Sequence, residues 1–225
     1  MDGAGSIYLA LNANGSSTVT KFSPIDRKII YSTSIPSSVT SSITVDRVGN
    51  AYVTGTAELG LPATPGAYKS ALLCSSAVST CTEAFVVKVG ATGTIQYATY
   101  ANASGRANAI AVDSEGQVWI TGNSSVSPAH TTDAFIIKLD SAGGKRLLLK
   151  TFAGAGGHNF VASDAGSGIA IDSKDAAYAV GFTQWQIPTT PGTIQPGRPS
   201  PLYTATPFGY IVKIDSAETQ CMQPT

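Results

Sequence analysis
Short apolar runs recur along the chain, built from β-branched, aromatic and aliphatic residues and separated by Gly, Asn, Asp and Ser. That punctuation predicts strands joined by tight turns. Ile43-Thr44-Val45-Asp46 leads into Gly49-Asn50-Ala51-Tyr52-Val53-Thr54-Gly55. The phrase returns as Ile110-Ala111-Val112-Asp113 with Gly116-Gln117-Val118-Trp119-Ile120-Thr121-Gly122. It returns again as Ile169-Ala170-Ile171-Asp172 with Ala176-Ala177-Tyr178-Ala179-Val180-Gly181. The start of the chain carries the second half only, Gly5-Ser6-Ile7-Tyr8-Leu9-Ala10. No segment spaces its apolar residues by three and four over a helical length, so almost no helix is expected.

A second phrase follows each first one after an insertion of variable length. It reads Ala84-Phe85-Val86-Val87-Lys88, Ala134-Phe135-Ile136-Ile137-Lys138 and Tyr210-Ile211-Val212-Lys213, with a weaker copy in Thr18-Val19-Thr20-Lys21. A third phrase comes after a further turn, as Ile29-Ile30-Tyr31-Ser32-Thr33, Ile95-Gln96-Tyr97-Ala98-Thr99-Tyr100 and Leu147-Leu148-Leu149-Lys150-Thr151-Phe152. Asp46 and Asp113 are 67 residues apart, and Asp113 and Asp172 are 59 apart. The repeating unit is therefore about 60 residues, long enough for four antiparallel strands. Near-continuous apolar character in each strand fits a propeller blade buried on both faces. The expected fold is all-β: an arc of about three and a half four-stranded blades. The blades cover 1–40 (partial), 41–104, 105–160 and 161–225 (partial), the first lacking its inner strand and the last its outer one.

These phrases resemble the SBBP repeat, the seven-bladed β-propeller repeat of bacterial surface and secreted proteins. The loops Ala63-Thr64-Pro65-Gly66-Ala67-Tyr68 and Thr189-Thr190-Pro191-Gly192-Thr193-Ile194 match that repeat too. At lower specificity the chain is similar to NHL and Vgb-type propellers. The resemblance implies a blade fold and an extracellular or cell-envelope setting, with the leader not present in this chain. It implies no catalytic motif and no cofactor. A closed ring of seven such units needs roughly 400 residues. The chain therefore reads as an arc whose remainder is elsewhere, or as half of a dimer.

Composition narrows the functional classes. Of 225 residues, 43% are hydrophobic and only 12% charged, with Lys+Arg and Asp+Glu balanced at 14 each. That balance argues against a nucleic-acid partner, which favours a basic excess. No apolar run reaches the ~18 residues of a membrane span. Cys74 and Cys81 bracket a Ser-rich segment. A local disulfide in an oxidising compartment is the leading reading, ahead of two free thiols and of a metal pair. Cys221 is the odd cysteine.

The candidate chemistry is sparse. Asp46, Asp113 and Asp172 are expected to cap turns rather than to ring a cation, because they lack the ligand spacing of a calcium loop. Lys21, Lys88, Lys138 and Lys213 are expected at the solvent end of the third strand, lying along apolar surface. Gly143-Gly144-Lys145-Arg146 reads as a turn, not a phosphate loop. Asn14, Asn102 and Asn123 open sequons that read as turn residues. The two histidines, His130 and His158, fall in loops, and His158 with Asp164 is the one pair with catalytic potential. Trp185, Arg198 and Tyr203 lie on a proline-rich insertion. With Tyr68 and His158 they are the candidate binding residues, suited to protein or glycan contact. The expected function is a non-enzymatic binding or scaffold module. The alternatives are a propeller hydrolase or lyase with channel-face residues, and a fragment without independent function.

Overall fold
The computed structural model describes residues 1–72, 81–102, 105–125, 132–152, 163–184, 190, 192 and 207–216. Trp185, Arg198, Tyr203, His130, His158, Cys74 and Cys221 lie outside them. Four antiparallel sheets follow one another along the chain. The first holds β1 (Ile7–Ala13), β2 (Ser16–Phe22) and β3 (Ile29–Pro36). The second holds β4 (Ser38–Val45), β5 (Ala51–Ala57), β6 (Glu83–Val89) and β7 (Ile95–Asn102). The third holds β8 (Gly105–Val112), β9 (Val118–Ser125), β10 (Thr132–Leu139) and β11 (Arg146–Phe152). The fourth holds β12 (Ala165–Ile171), β13 (Ala177–Thr183) and β14 (Phe208–Ile214). In every sheet the strands pair in sequence order. Each sheet is thus a meandering blade; among the described residues the first has no inner strand and the last no outer one.

The continuous apolar runs are explained by burial on both faces. Successive side chains of a strand point to opposite faces. In β5, Ala51 and Val53 join a core shared with Val19, Tyr31 and Ile35 of the first blade. Tyr52 between them joins a second core, shared with Ile120, Phe135 and Ile137 of the third blade. In β9 and β10, Trp119 and Ile136 turn the other way, toward Ala177, Ala179 and Ile214 of the fourth blade. Three cores therefore lie between four blades, and no blade owns one alone.

The inner strands β4, β8 and β12 carry a shared irregularity. Each slips register against its second strand, between Thr40 and Ser42, Ala107 and Ala109, and Gly166 and Gly168. A glycine faces every bulge: Gly55, Gly122 and Gly181. A Cβ on Gly55 would meet Val39 O at 2.0 Å, one on Gly122 would meet Arg106 O at 2.0 Å, and one on Gly181 would meet Ala165 O at 2.1 Å. The bulged residue Asn108 donates its side-chain amide to Gly166 O of the next inner strand at 2.8 Å.

The sequons differ from their expected role in part. Asn14 and Gly15, with φ of 50° and 73°, make the two-residue turn between β1 and β2, as turn chemistry requires. Asn123, by contrast, sits within β9, paired with Arg106 and Ala134.

Candidate functional site
Antiparallel order places the β4–β5, β8–β9 and β12–β13 turns, and the β2–β3, β6–β7 and β10–β11 turns, at one edge of the blades. All other connections leave from the opposite edge. Contacts between blades align these edges. The Tyr8 hydroxyl lies 2.9 Å from Gly49 O, and Ser114 donates through N and Oγ to the Asp175 carboxylate, joining turn to turn. At the far edge, Asp164 N donates to Thr132 O, and Ser38 N to Gly15 O.

The turn edge carries one device four times. Asp46 Oδ1 accepts the N–H groups of Val48 and Asn50, while Oδ2 accepts from the Asn50 amide and the Tyr52 hydroxyl. Asp113 accepts from Glu115 N and Gln117 N through Oδ1 and from Trp119 Nε1 through Oδ2. Asp172 accepts from Lys174 N, Ala176 N and the Tyr178 hydroxyl. The capping expectation therefore holds at all three. A fourth copy was not legible in the repeated phrases: Asp2 accepts from Ala4 N, Ser6 N and the Tyr8 hydroxyl, although no inner strand precedes it. The fourth position of each turn needs a left-handed backbone. Gly5, Gly49 and Gly116 supply it, and Asp175 adopts it at φ 62°.

A lysine from the third strand closes each device over the aromatic ring. Lys21, Lys88, Lys138 and Lys213 stand 5.2, 5.2, 4.6 and 5.7 Å from the ring centroids of Tyr8, Tyr52, Trp119 and Tyr178. Lys21 also pairs with Asp2 at 3.0 Å, and Lys138 with Asp113 at 3.4 Å. This corrects the expectation of a solvent-end lysine for Lys21 and Lys138, whereas Lys213 is exposed as expected. Lys21 and Lys138 are buried, because each ammonium finds a carboxylate and a π-face in place of water. Burial alone would raise the Asp2 carboxyl, but hydrogen bonds from Tyr8, Lys21 and the Ser6 N–H outweigh it and hold the group well below the ordinary carboxylate range. The Asp172 carboxyl is likewise lowered, chiefly by the Ala176 and Lys174 N–H groups.

The opposite edge is irregular. The insertion after β5 folds back along β7, the edge strand of its blade: Thr64 N donates to Ala98 O, and Tyr100 N to Lys69 O. This covers backbone groups that an open edge would expose. Lys69 Nζ reaches both oxygens of the buried Glu83, at 2.7 and 2.6 Å. Tyr68, the candidate binding residue that the structure describes, packs against the core between the second and third blades. Its N–H donates to Gly143 O, and Arg146 lies 5.4 Å from its ring centroid. Gly143-Gly144-Lys145-Arg146 is a turn running into β11, closed by Asp140 Oδ1 accepting from Gly144 N and Lys145 N.

Cys81 is disulfide-bonded, and the other half of its bridge lies outside the described residues. On the same edge, Asp164 is buried and accepts from Gln184 N. The Asp133 carboxyl is raised, by burial first and then by the charge of Asp164. His130, His158, Trp185, Arg198 and Tyr203 stand on connections between strand ends that all lie at this edge. Among the described residues, no group of three or more His, Cys, Asp and Glu side chains could hold a metal ion.

One family model matches part of the chain and agrees with the blade architecture there. Residues 30–57, spanning β4, β5 and the end of the first blade, match the family model SBBP, described as a beta-propeller repeat. A solved structure, a protein of unknown function from Bacteroides caccae, is similar at 8% identity and a TM-score of 0.42. The match covers 79% of this chain and 54% of that one, so this chain spans about half of its length. No curated protein matches the chain. Residues 30–57 thus match a beta-propeller repeat, and the four meandering sheets are consistent with propeller blades.

Proposed function
We propose that this propeller-repeat chain is a non-enzymatic binding or scaffold module of a bacterial cell envelope or exterior, contacting proteins or glycans through its irregular edge. One observation carries the reading: the two edges of the blades are built differently. At the turn edge each recurring carboxylate is engaged by its own turn and by an aromatic hydrogen-bond donor. At the other edge the connections differ from blade to blade in length and in side chains. Variable loops on a rigid frame are where binding residues concentrate. The disulfide at Cys81 favours an oxidising compartment.

The experiment is a screen of the purified chain on a glycan array and against a displayed peptide library. The expected result is a ligand whose affinity falls at least about tenfold, ~1.4 kcal/mol, in Trp185→Ala or Arg198→Ala. Lys174→Ala, on the turn edge, should leave it unchanged. Loss of binding in Lys174→Ala alone would overturn the reading.

A second reading, a hydrolase, has one observation in its favour. Asp133, its carboxyl raised by burial and then by the charge of Asp164, lies at the loop edge, and a raised carboxyl suits a general acid. Turnover of glycoside or ester substrates, abolished in Asp133→Asn, would establish this reading and displace the first.

A further inference from the structure
The two end blades each expose a face that the middle blades bury. Leu9 follows Tyr8 in β1 as Val53 follows Tyr52 and Ile120 follows Trp119. Val53 and Ile120 are fully buried, whereas Leu9 is 43% exposed. Ile7 and Leu11 flank it on the same face, also exposed. At the other end, Ile211 precedes Val212-Lys213 in β14 as Val86 precedes Val87-Lys88 and Ile136 precedes Ile137-Lys138. Val86 and Ile136 are fully buried, yet Ile211 is 72% exposed. Val180 beside it is exposed, although its counterparts Thr54 and Thr121 are fully buried.

We propose that these faces are the two halves of one blade-to-blade interface, and that a second copy of this chain docks its first blade onto the fourth blade of its neighbour, head to tail. The occupant follows from continuity with the interfaces already present. Three times within the chain, the face bearing an aromatic and Val86-type residues packs against the next blade's face bearing Val53-type residues. The exposed faces are one of each kind, so a second copy repeats the same pairing a fourth time. A polar contact accompanies the first of these pairings. The Tyr8 hydroxyl reaches Gly49 O of the following turn. A docked copy would offer its Gly5 carbonyl, from the equivalent turn, to Tyr178. Lys213, half-exposed in the single chain, would gain the cover that Lys138 has. Because the two halves differ, the contact is heterologous and leads to a ring or an open array.

Light scattering across a concentration series tests this. Wild-type chain should exceed the single-chain mass of 23.0 kDa and grow with concentration. Leu9→Glu and Ile211→Glu change exposed positions on opposite faces. Each alone should stay at the single-chain mass with an unchanged β-sheet circular dichroism spectrum. Mixed one to one, they retain a single intact pair of faces and should give a discrete dimer and nothing larger. Leu11→Glu with Val180→Glu repeats the test should either first variant fail to fold. A wild-type chain that remains single at all concentrations would overturn the proposal. So would variants that associate as wild type does, or a mixture of folded variants that forms no dimer.

Discussion
At the residue scale, the protein's polar chemistry is concentrated in a carboxylate, an aromatic ring and an ammonium that meet at each inner turn. Their ionisation sets both limits of the stability range. Asp2 and Asp172 are held below their ordinary pKa in the fold. Their contribution is therefore complete above the unfolded value, about pH 4, and is lost as pH falls toward the folded one. The tyrosines move the other way. Burial first, then the neighbouring carboxylates, raise Tyr8 above its ordinary value through Asp2 and Tyr52 through Asp46. Tyr31 is pushed up to about 12, chiefly by burial. The folded chain keeps phenol protons that the unfolded chain releases above about pH 10, so stability is complete below that pH and falls above it. Urea midpoints measured from pH 2 to 12 should be flat between about pH 5 and 9 and drop on both sides. The capping aspartates were legible because a turn needs a side-chain acceptor at that place. The burial of Lys21 and Lys138 was not, since nothing in a strand's sequence says that its ammonium will find a ring on the neighbouring strand and a carboxylate in the turn before it.

At the element scale, the repeated Thr-Gly ending of the second strand reflects the bulge of the strand beside it. Adding one methyl at Gly122 would place a carbon 2.0 Å from a backbone carbonyl oxygen, and backbone cannot yield as a flexible side chain does. Gly122→Ala should therefore cost about 3 kcal/mol in chemical unfolding. β1 supplies the natural control. Leu11 occupies the place of Gly55 and Gly122 there, three residues after the aromatic, and β1 has no inner strand against it. Leu11→Gly should cost only the roughly 0.5–1 kcal/mol of a strand glycine. Strand number, order and antiparallel pairing were all readable from the phrases, because period-two burial on both faces leaves a nearly continuous apolar signature. The bulges were not. They add no residue type of their own and show only in the glycine opposite.

At the scale of the whole molecule, four blades share three cores, so stability is distributed along a row of sheets rather than held at one centre. The second and third blades are covered on both faces and the end blades on one. Amide hydrogen exchange in dilute protein should be slowest in β5, β6, β9 and β10 and faster in β1 and β14. Topology then assigns the two edges different work. Inner turns of constant design tie blade to blade at one edge, and loops of changing length leave the other. The sequence placed Trp185, Arg198 and Tyr203 on an insertion, but that the strand ends bounding it share an edge with those bounding the loops of Tyr68, His130 and His158 follows only from the strand directions.

The central claim is that the recurring polar residues build the frame while Trp185 and Arg198 of the last insertion do not, and unfolding free energies test it most directly. Asp113→Ala leaves Lys138 buried without its carboxylate and should lose about 3–5 kcal/mol. Trp185→Ala and Arg198→Ala should each change stability by less than about 0.5 kcal/mol. A near-neutral Asp113→Ala beside strongly destabilising loop variants would contradict the account.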